Sequence, residues 1–313
     1  MVNVQWVAEM ELRDCGLFAY QECRIPGQTE TTFGEYRAFF SGAIAKREHG
    51  VGLFVRKDLL TGVLDLQPVS ERLLWLHGTF HGSKRTIVVV YAPTEVDHDN
   101  AKDDLYLSLS TELVKIQTLC GNDIIIMGDF NARVGTNIGY EHTDSAFLGQ
   151  YGLPERDDSN GAMLREFCSI NKFKIADTFF EEEHGDYGTW RHSSGPGFNA
   201  ALDHILVQDS IWHKVRQCGV RDPADDLPDT DHRVVHLDIS GPQLVSPNDG
   251  PNRKKQRKER PPPTQEQQRR QECTRMNKRI LEIARSKDGN EENKYLDMLI
   301  DSAVSRKWAA LKF

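Results

Sequence analysis

Short apolar runs broken by Gly, Asn, Asp and Ser recur through the first 240 residues. Runs of about four to eight apolar residues between turn residues read as buried strands. Leu17-Phe-Ala-Tyr20, closing at Gln21-Glu22, is the first, and Val51–Val55, Leu73–Phe80 and Thr86–Tyr91 follow. Helical spacing then intervenes: Leu105, Leu109, Leu113 and Ile116 fall on one face, and Leu164, Phe167 and Cys168 on another. Val4, Val7, Ala8, Leu12 and Cys15 make an opening helix ahead of the first strand. Asp123–Met127, Phe173–Ala176, Leu202–Val207 and Val234–Ile239 supply the remaining strands. Many strands with a few helices, and no strict alternation, predict a layered α/β sandwich rather than a barrel.

The pattern changes after residue 242. Ser246-Pro-Asn-Asp-Gly-Pro251 is turn-rich, Arg253–Arg260 is strongly basic and Pro261-Pro-Pro263 is stiff. Further on, Met276, Ile280, Ile283 and Ala284, then Tyr295, Met298 and Leu299, return to helical spacing. The organisation expected is a folded domain over 1–242, a basic Pro-rich linker over 243–268 and a helical tail over 269–313. Charge follows the same division. Of 39 Lys+Arg and 47 Asp+Glu, residues 249–313 hold 17 and 10, which leaves the first 248 at −15 within a total of −8. The basic run 253–260 reads as an arm for nucleic acid or an import receptor, or as a solvated cluster in a linker.

At 38% hydrophobic and 27% charged, the chain is neither disordered throughout nor collagen-like. Its apolar runs are too short to cross a bilayer, and Met1–Glu11 lacks the layout of a signal peptide. Six Cys lie far apart without a Cys-x-x-Cys pair, which suits reduced thiols. The expectation is an intracellular protein, nuclear or cytoplasmic, with no membrane partner.

Several strands stop at carboxylates or amides. Gly128-Asp-Phe-Asn-Ala132 follows Ile124–Met127. On an extended segment Asp129 and Asn131 face one spot while Phe130 turns to the core; an Asx turn capping the strand is the alternative. Glu22, Asp203, and Asp231 beside His232 close or open other strands. Together they offer oxygen ligands, an imidazole with a carboxylate and an amide donor, a combination that suits phosphodiester hydrolysis. Hard oxygens select Mg²⁺ or Mn²⁺. There is neither a zinc-type Cys/His cluster nor a Walker-type loop.

In order, Gln21-Glu22, His49-Gly-Val-Gly52, Val90-Tyr-Ala-Pro93, Gly128-Asp-Phe-Asn-Ala132, Leu202-Asp203 and Thr230-Asp-His232 resemble the endonuclease/exonuclease/phosphatase superfamily. Asn160-Gly-x-x-Leu-x-x-Phe-Cys168 and Gly188-Thr-Trp190 narrow the resemblance to apurinic-type endonuclease domains of non-LTR retrotransposons and to proteins of the craniofacial development protein 2 type. It covers roughly residues 4–240. The resemblance implies a four-layer α/β sandwich, two packed mixed β-sheets flanked by helices, acting on DNA. It further implies that Glu22 and Asp231 bind Mg²⁺, Asp129 orients or deprotonates the attacking water, and Asn131 holds the scissile phosphate. Tyr91 would contact the phosphate or leaving group, and His232 would act on the phosphate or as acid/base with Asp203 fixing its ring. Without the resemblance, Tyr91 reads equally as a strand-end aromatic of the core rim, and Trp190 reads as core before it reads as a stacking platform.

One departure is large. Family members open with a strand carrying an Asn, in a pattern like Trp-Asn-Val-Arg, whereas this chain starts at the following helix and Asn3 is no substitute. The expectation is a missing first strand, an unpaired edge or shifted pairing, a lost hydrogen bond at the metal site and impaired activity. His49 stands where the family usually has Gly. The alternatives are a phosphatase or RNA-directed nuclease of the same fold, and a non-enzymatic interaction module.

Overall fold

A computed structural model describes residues 7, 9–11, 13–44, 48–136, 146–154, 157–182, 185–192, 200–222, 231–240 and 307–312, the last six through their backbone. The basic run 253–260, the linker and the helices expected over 276–299 lie outside these residues, as do Val4, Ala8 and Leu12 of the opening helix.

Among the described residues, thirteen strands form two sheets. β1 (Leu17–Gln21), β2 (Gly27–Phe33), β3 (Tyr36–Gly42) and β4 (Val51–Arg56) belong to the first; β5 (Val63–Ser70), β6 (Leu73–Phe80) and β7 (Ser83–Tyr91) to the second. Helix α1 (Asp99–Leu119) crosses to β8 (Ile124–Asp129), which pairs parallel to β7. Helix α2 (Ser159–Asn171), β9 (Phe173–Ile175), β10 (Asp203–Gln208), β11 (Val215–Arg221), β12 (Val234–Ile239) and β13 (Lys307–Lys312) follow. The first sheet runs β11-β12-β13-β1-β4-β3-β2 and the second β5-β6-β7-β8-β10-β9.

Apolar alternation explains the layering. Leu17, Ala19, Leu53, Val55, Val235 and Leu237 of the first sheet meet Leu74, Leu76, Ile87, Val89, Ile125, Met127, Ile205 and Val207 of the second in one buried core. The opposite faces are also apolar. Val88, Val90, Ile124 and Ile126 pack against Leu105, Leu109, Leu113 and Ile116 of α1 and Leu164 and Phe167 of α2. Phe18, Tyr20 and Phe54 pack with Val7, Met10 and Cys15 of the opening segment. Strands buried on both faces read as continuous apolar runs because every position is inward. The expected four-layer sandwich is the fold observed. Helix α2 is capped by Asp158, whose side chain accepts from Gly161 N at 2.7 Å, and ends on Lys172 in the left-handed region.

Three differences from expectation concern the strands. β2, β3, β5 and β11 are not anticipated by the apolar pattern; β2 and β11 are edges of the first sheet and β5 an edge of the second. Residues 307–312, expected within a helical tail, form strand β13. That strand also removes the expected open edge. It lies between β12 and β1, parallel to β12 (Val235↔Ala309) and antiparallel to β1 (Ala19↔Ala309). The far end of the chain therefore fills the interior slot of the sheet.

A central strand uses its backbone donors on both neighbours, and proline removes one of them. Ala309→Pro and Ala310→Pro should each lower stability by about 1–3 kcal/mol, read as a lower urea midpoint. Parent-like midpoints for both would show that β13 is not a working strand of the sheet.

Candidate active site

The site forms where strands of both sheets end on the same side. Glu22 follows β1, and Asp231 and His232 precede β12; from the other sheet come Tyr91 at the end of β7, Asp129 at the end of β8 and Asp203 at the start of β10. Register brings the second set together: Tyr91 is level with Asp129 across the parallel pair, and Asp129 with Asp203 across the antiparallel pair. Gly128 makes this approach possible. Its φ is +153°, and a Cβ there would stand 1.9 Å from Val90 O.

Two side-chain contacts among the seven candidate residues join the sheets. Tyr91 Oη donates to Glu22 Oε1 at 2.5 Å. His232 Nδ1 lies 2.7 Å from Asp203 Oδ2, and both side chains are fully buried. All seven residues singled out for the site are thus connected by contact, by register or as chain neighbours. Arg24 stands 3.5 Å from the other oxygen of Glu22.

At the end of β8 both sequence readings hold in part. Phe130 is buried in the outer core as expected. The chain does not stay extended, however: Asn131 has φ +47° and its N–H donates to Asp129 Oδ1 at 2.8 Å, an Asx turn. Asn131 Nδ2 donates to Ala92 O at 2.8 Å, tying the end of β8 to the end of β7. Tyr91 is 4% exposed, so it is both a rim aromatic of the core and a member of the cluster.

Sequence reasoning gives Thr189 no role. Its Oγ1 donates to Asp203 Oδ2 at 2.7 Å and accepts from Leu202 N and Asp203 N, so it fixes the carboxylate that faces His232. Only its place in Gly188-Thr-Trp190 marks it. Trp190 bridges to His232 through the backbone and donates Nε1–H to Asp231 Oδ2 at 3.1 Å. The indole is therefore a positioning group for Asp231. His49, the minor departure, sits with φ +60° beside Tyr91, its ring centroid 5.8 Å from the phenol and its Nε2 3.2 Å from Arg72. The Arg72 guanidinium lies over the Tyr91 ring at 5.1 Å.

Among the described residues no three His, Cys, Asp or Glu side chains converge as a preformed metal cluster. The donor set nonetheless fits a small hard cation. Mg²⁺ commonly takes one or two protein carboxylates and keeps waters elsewhere, and Asp231 Oδ1 is buried with no hydrogen-bond partner among the described residues. The Gln21 amide, at the end of β1, is likewise buried without one among the described residues.

A second His–Asp pair, its imidazole fully buried, backs the site. His204 places Nδ1 2.8 Å from Asp177 Oδ2 and Nε2 2.9 Å from Ala132 O. Both partners are acceptors, so both nitrogens donate and the ring is an imidazolium. Burial pushes its pKa down, but the Asp177 charge and hydrogen bond outweigh this and raise it to about 9.

Two facing sheets thus deliver acids and a supported imidazole to one end of the fold. The chain belongs to the Endonuclease/Exonuclease/phosphatase family, whose model matches residues 6–240. Craniofacial development protein 2 of Tragulus javanicus and of Bos taurus are each 24% identical over 227 residues, 72% of this chain. The match spans only 38% and 36% of those proteins. Among solved structures, the AP endonuclease LMAP from Leishmania major is similar in fold, at 13% identity and TM-score 0.52, over 72% of this chain and 78% of that one. The endonuclease domain of TRAS1, a telomere-specific non-LTR retrotransposon, matches at 13% identity and TM-score 0.48, over 74% of this chain and 89% of that one. No helix among the described residues is long and apolar enough to cross a membrane.

The His204 pair carries a pH dependence. A folded pKa above the unfolded value of about 6.5 stabilises fully below that value and is lost as pH rises through about 9. The urea midpoint of the parent should fall between pH 6.5 and 9.5 by more than that of His204→Gln. Equal slopes would mean that the ring is not charged at neutral pH.

Proposed function

We propose that this chain is a Mg²⁺-dependent phosphodiester hydrolase (Mn²⁺ serving in its place), a DNA-nicking endonuclease of the retroelement, apurinic-type kind. The observation that carries this is the buried His232–Asp203–Thr189 relay reaching across the sheets to Asp129, Asn131, Tyr91 and Glu22. Asp203 holds the proton on His232 Nδ1, which makes Nε2 the atom that exchanges a proton with the reacting phosphate ester. Asp129 accepts the proton of the attacking water, and its Asx turn fixes the carboxylate for that task. Asn131 donates to a phosphate oxygen. Tyr91 contacts the phosphate or leaving group while holding Glu22 in place. Glu22 and Asp231 would hold the cation, which supplies positive charge to the phosphate oxygens when bound. The retroelement assignment rests on Asn160-Gly-x-x-Leu-x-x-Phe-Cys168 and Gly188-Thr-Trp190.

The body of the protein is acidic, and affinity for DNA phosphates comes from Lys and Arg. The six Lys and Arg of 253–260 are therefore the natural electrostatic contact to DNA in this reading.

In a plasmid-nicking assay the full chain should act with Mg²⁺, stop with chelator, and lose at least about 100-fold in rate in Asp129→Ala and in His232→Ala. Abasic duplex, 3′-phosphate and RNA substrates in parallel separate the endonuclease from a phosphatase or RNA-directed nuclease. A parent no faster than either variant on any substrate sinks the enzymatic reading and leaves an interaction module. Gln at the six basic positions of 253–260 should weaken DNA binding and flatten its salt dependence by roughly 0.9 in log–log slope for each phosphate that is no longer neutralised. An unchanged slope would remove the tail from the DNA interface.

A further inference from the structure

Asn160 occupies an unusual place for a residue in the first turn of a helix. It is 2% exposed, and its side chain does not cap the helix. Nδ2 instead donates to two loop carbonyls, Asn131 O at 2.8 Å and Pro93 O at 3.0 Å. One carbonyl lies two residues beyond Asp129, the other two residues beyond Tyr91. A single amide group therefore spans the ends of β8 and β7, the two strands that deliver Asp129 and Tyr91.

The surroundings hold Asn160 in that position. Asp158 Oδ1 accepts from Arg133 N at 3.1 Å as well as from Gly161 N. Gly161 lets the helix press on the same loop, since a Cβ there would stand 1.8 Å from Arg133 O. On the other side, Glu95 accepts from Ser159 N and Asn160 N, each at 3.2 Å. Lys102, 2% exposed, donates to Glu95 O at 3.0 Å and Ser159 Oγ at 2.9 Å. The start of α2 is thus clamped to the segment 93–95 and to the loop 131–133 at once. Asn131 reciprocates by donating its own amide to Ala92 O.

We propose that Asn160 is a positioning residue for the reaction: through its two carbonyl contacts it sets the distance between the Tyr91 and Asn131 ends of the site. It touches no reacting atom. This rests on the hydrolase reading of the same cluster, and the mechanical part of it stands apart from activity. Asn131 has a positive φ, a conformation that Asn tolerates in an Asx turn and that the contacts to its carbonyl and amide hold in place here. Asn160 provides one of those constraints, and misplacing a catalytic group by about 1 Å is enough to cost about 100-fold in rate.

The test uses the full chain and two readouts. In steady-state cleavage with Mg²⁺, Asn160→Ala should lower kcat by about 10- to 100-fold and leave KM within about threefold. In an Asn131→Ala background the same substitution should cost less than in the parent, because the Asn131 side chain is one of the groups that Asn160 positions. In hydrogen exchange, Asn160→Ala should exchange faster over 91–95 and 130–133, with the middle of α1 unchanged. A parent-like kcat, or an equal loss in both backgrounds, overturns the proposal. So does unchanged exchange in those two segments, or acceleration throughout the molecule. If the parent cleaves nothing, the functional reading fails alone and the exchange comparison still decides whether Asn160 holds the two loops. Should Asn160→Ala not fold, Asn160→Ser, a smaller lesion, takes its place in every comparison.

Discussion

Asp203 is a carboxylate with no exposure to solvent, level in its sheet with a second, equally buried carboxylate, Asp129. Burying such a charge is costly unless it is hydrogen-bonded and paired. The hydroxyl of Thr189 and the ring of His232 both meet its Oδ2, while Oδ1 has no hydrogen-bond partner among the described residues, and the two groups come from different parts of the fold. Thr189 belongs to the 185–192 segment, which pairs with Ala200, and His232 to the start of β12. The need to satisfy one carboxylate thereby draws the second sheet's partner strand and the intervening segment to the same corner. The rest of the site follows from this: Trp190 is held against His232, and its indole reaches Asp231.

What the amino-acid sequence reveals divides along physical lines. Strands buried on both faces, such as β7, β8 and β10, are legible because their central runs, Ile87–Val90, Ile124–Met127 and Ile205–Val207, are buried and apolar throughout. The edge strand β2, Gly27-Gln-Thr-Glu-Thr-Thr-Phe33, alternates half-buried and exposed positions with polar residues on both, so it carries little apolar signal. β13 is illegible for another reason. Lys307-Trp-Ala-Ala-Leu-Lys312 is short, and only its pairing with two strands remote in the chain makes it a strand. Local spacing upstream of it favours helix, and tertiary pairing overrides that preference locally.

The site is legible to a similar degree. Glu22, Asp129, Asp203, Asp231 and His232 stand at the ends of apolar runs, where a polar residue needs a reason, and the structure connects them. Thr189, His204 and Asn160 escape such reading. Asn160 and Thr189 lie within recognised motifs and His204 beside one, but their partners are a carboxylate or carbonyls that only the folded chain brings near. Trp190 shows the limit of residue-type reasoning, since its ring serves neither pure packing nor an open platform but a hydrogen bond to Asp231.

The placement of β13 has a consequence for how the molecule is made. Strands β1 and β12 bracket an interior gap that can close only after Lys307–Lys312 has left the ribosome, because that segment is translated after everything else in the sheet. During synthesis both flanking strands are complete while still lacking a neighbour, and exposed strand edges invite pairing with other chains. A nascent chain halted anywhere between Ser240 and Lys307 would hold every residue of the acid–imidazole cluster and yet lack the strand that joins its Glu22 side to its His232 side.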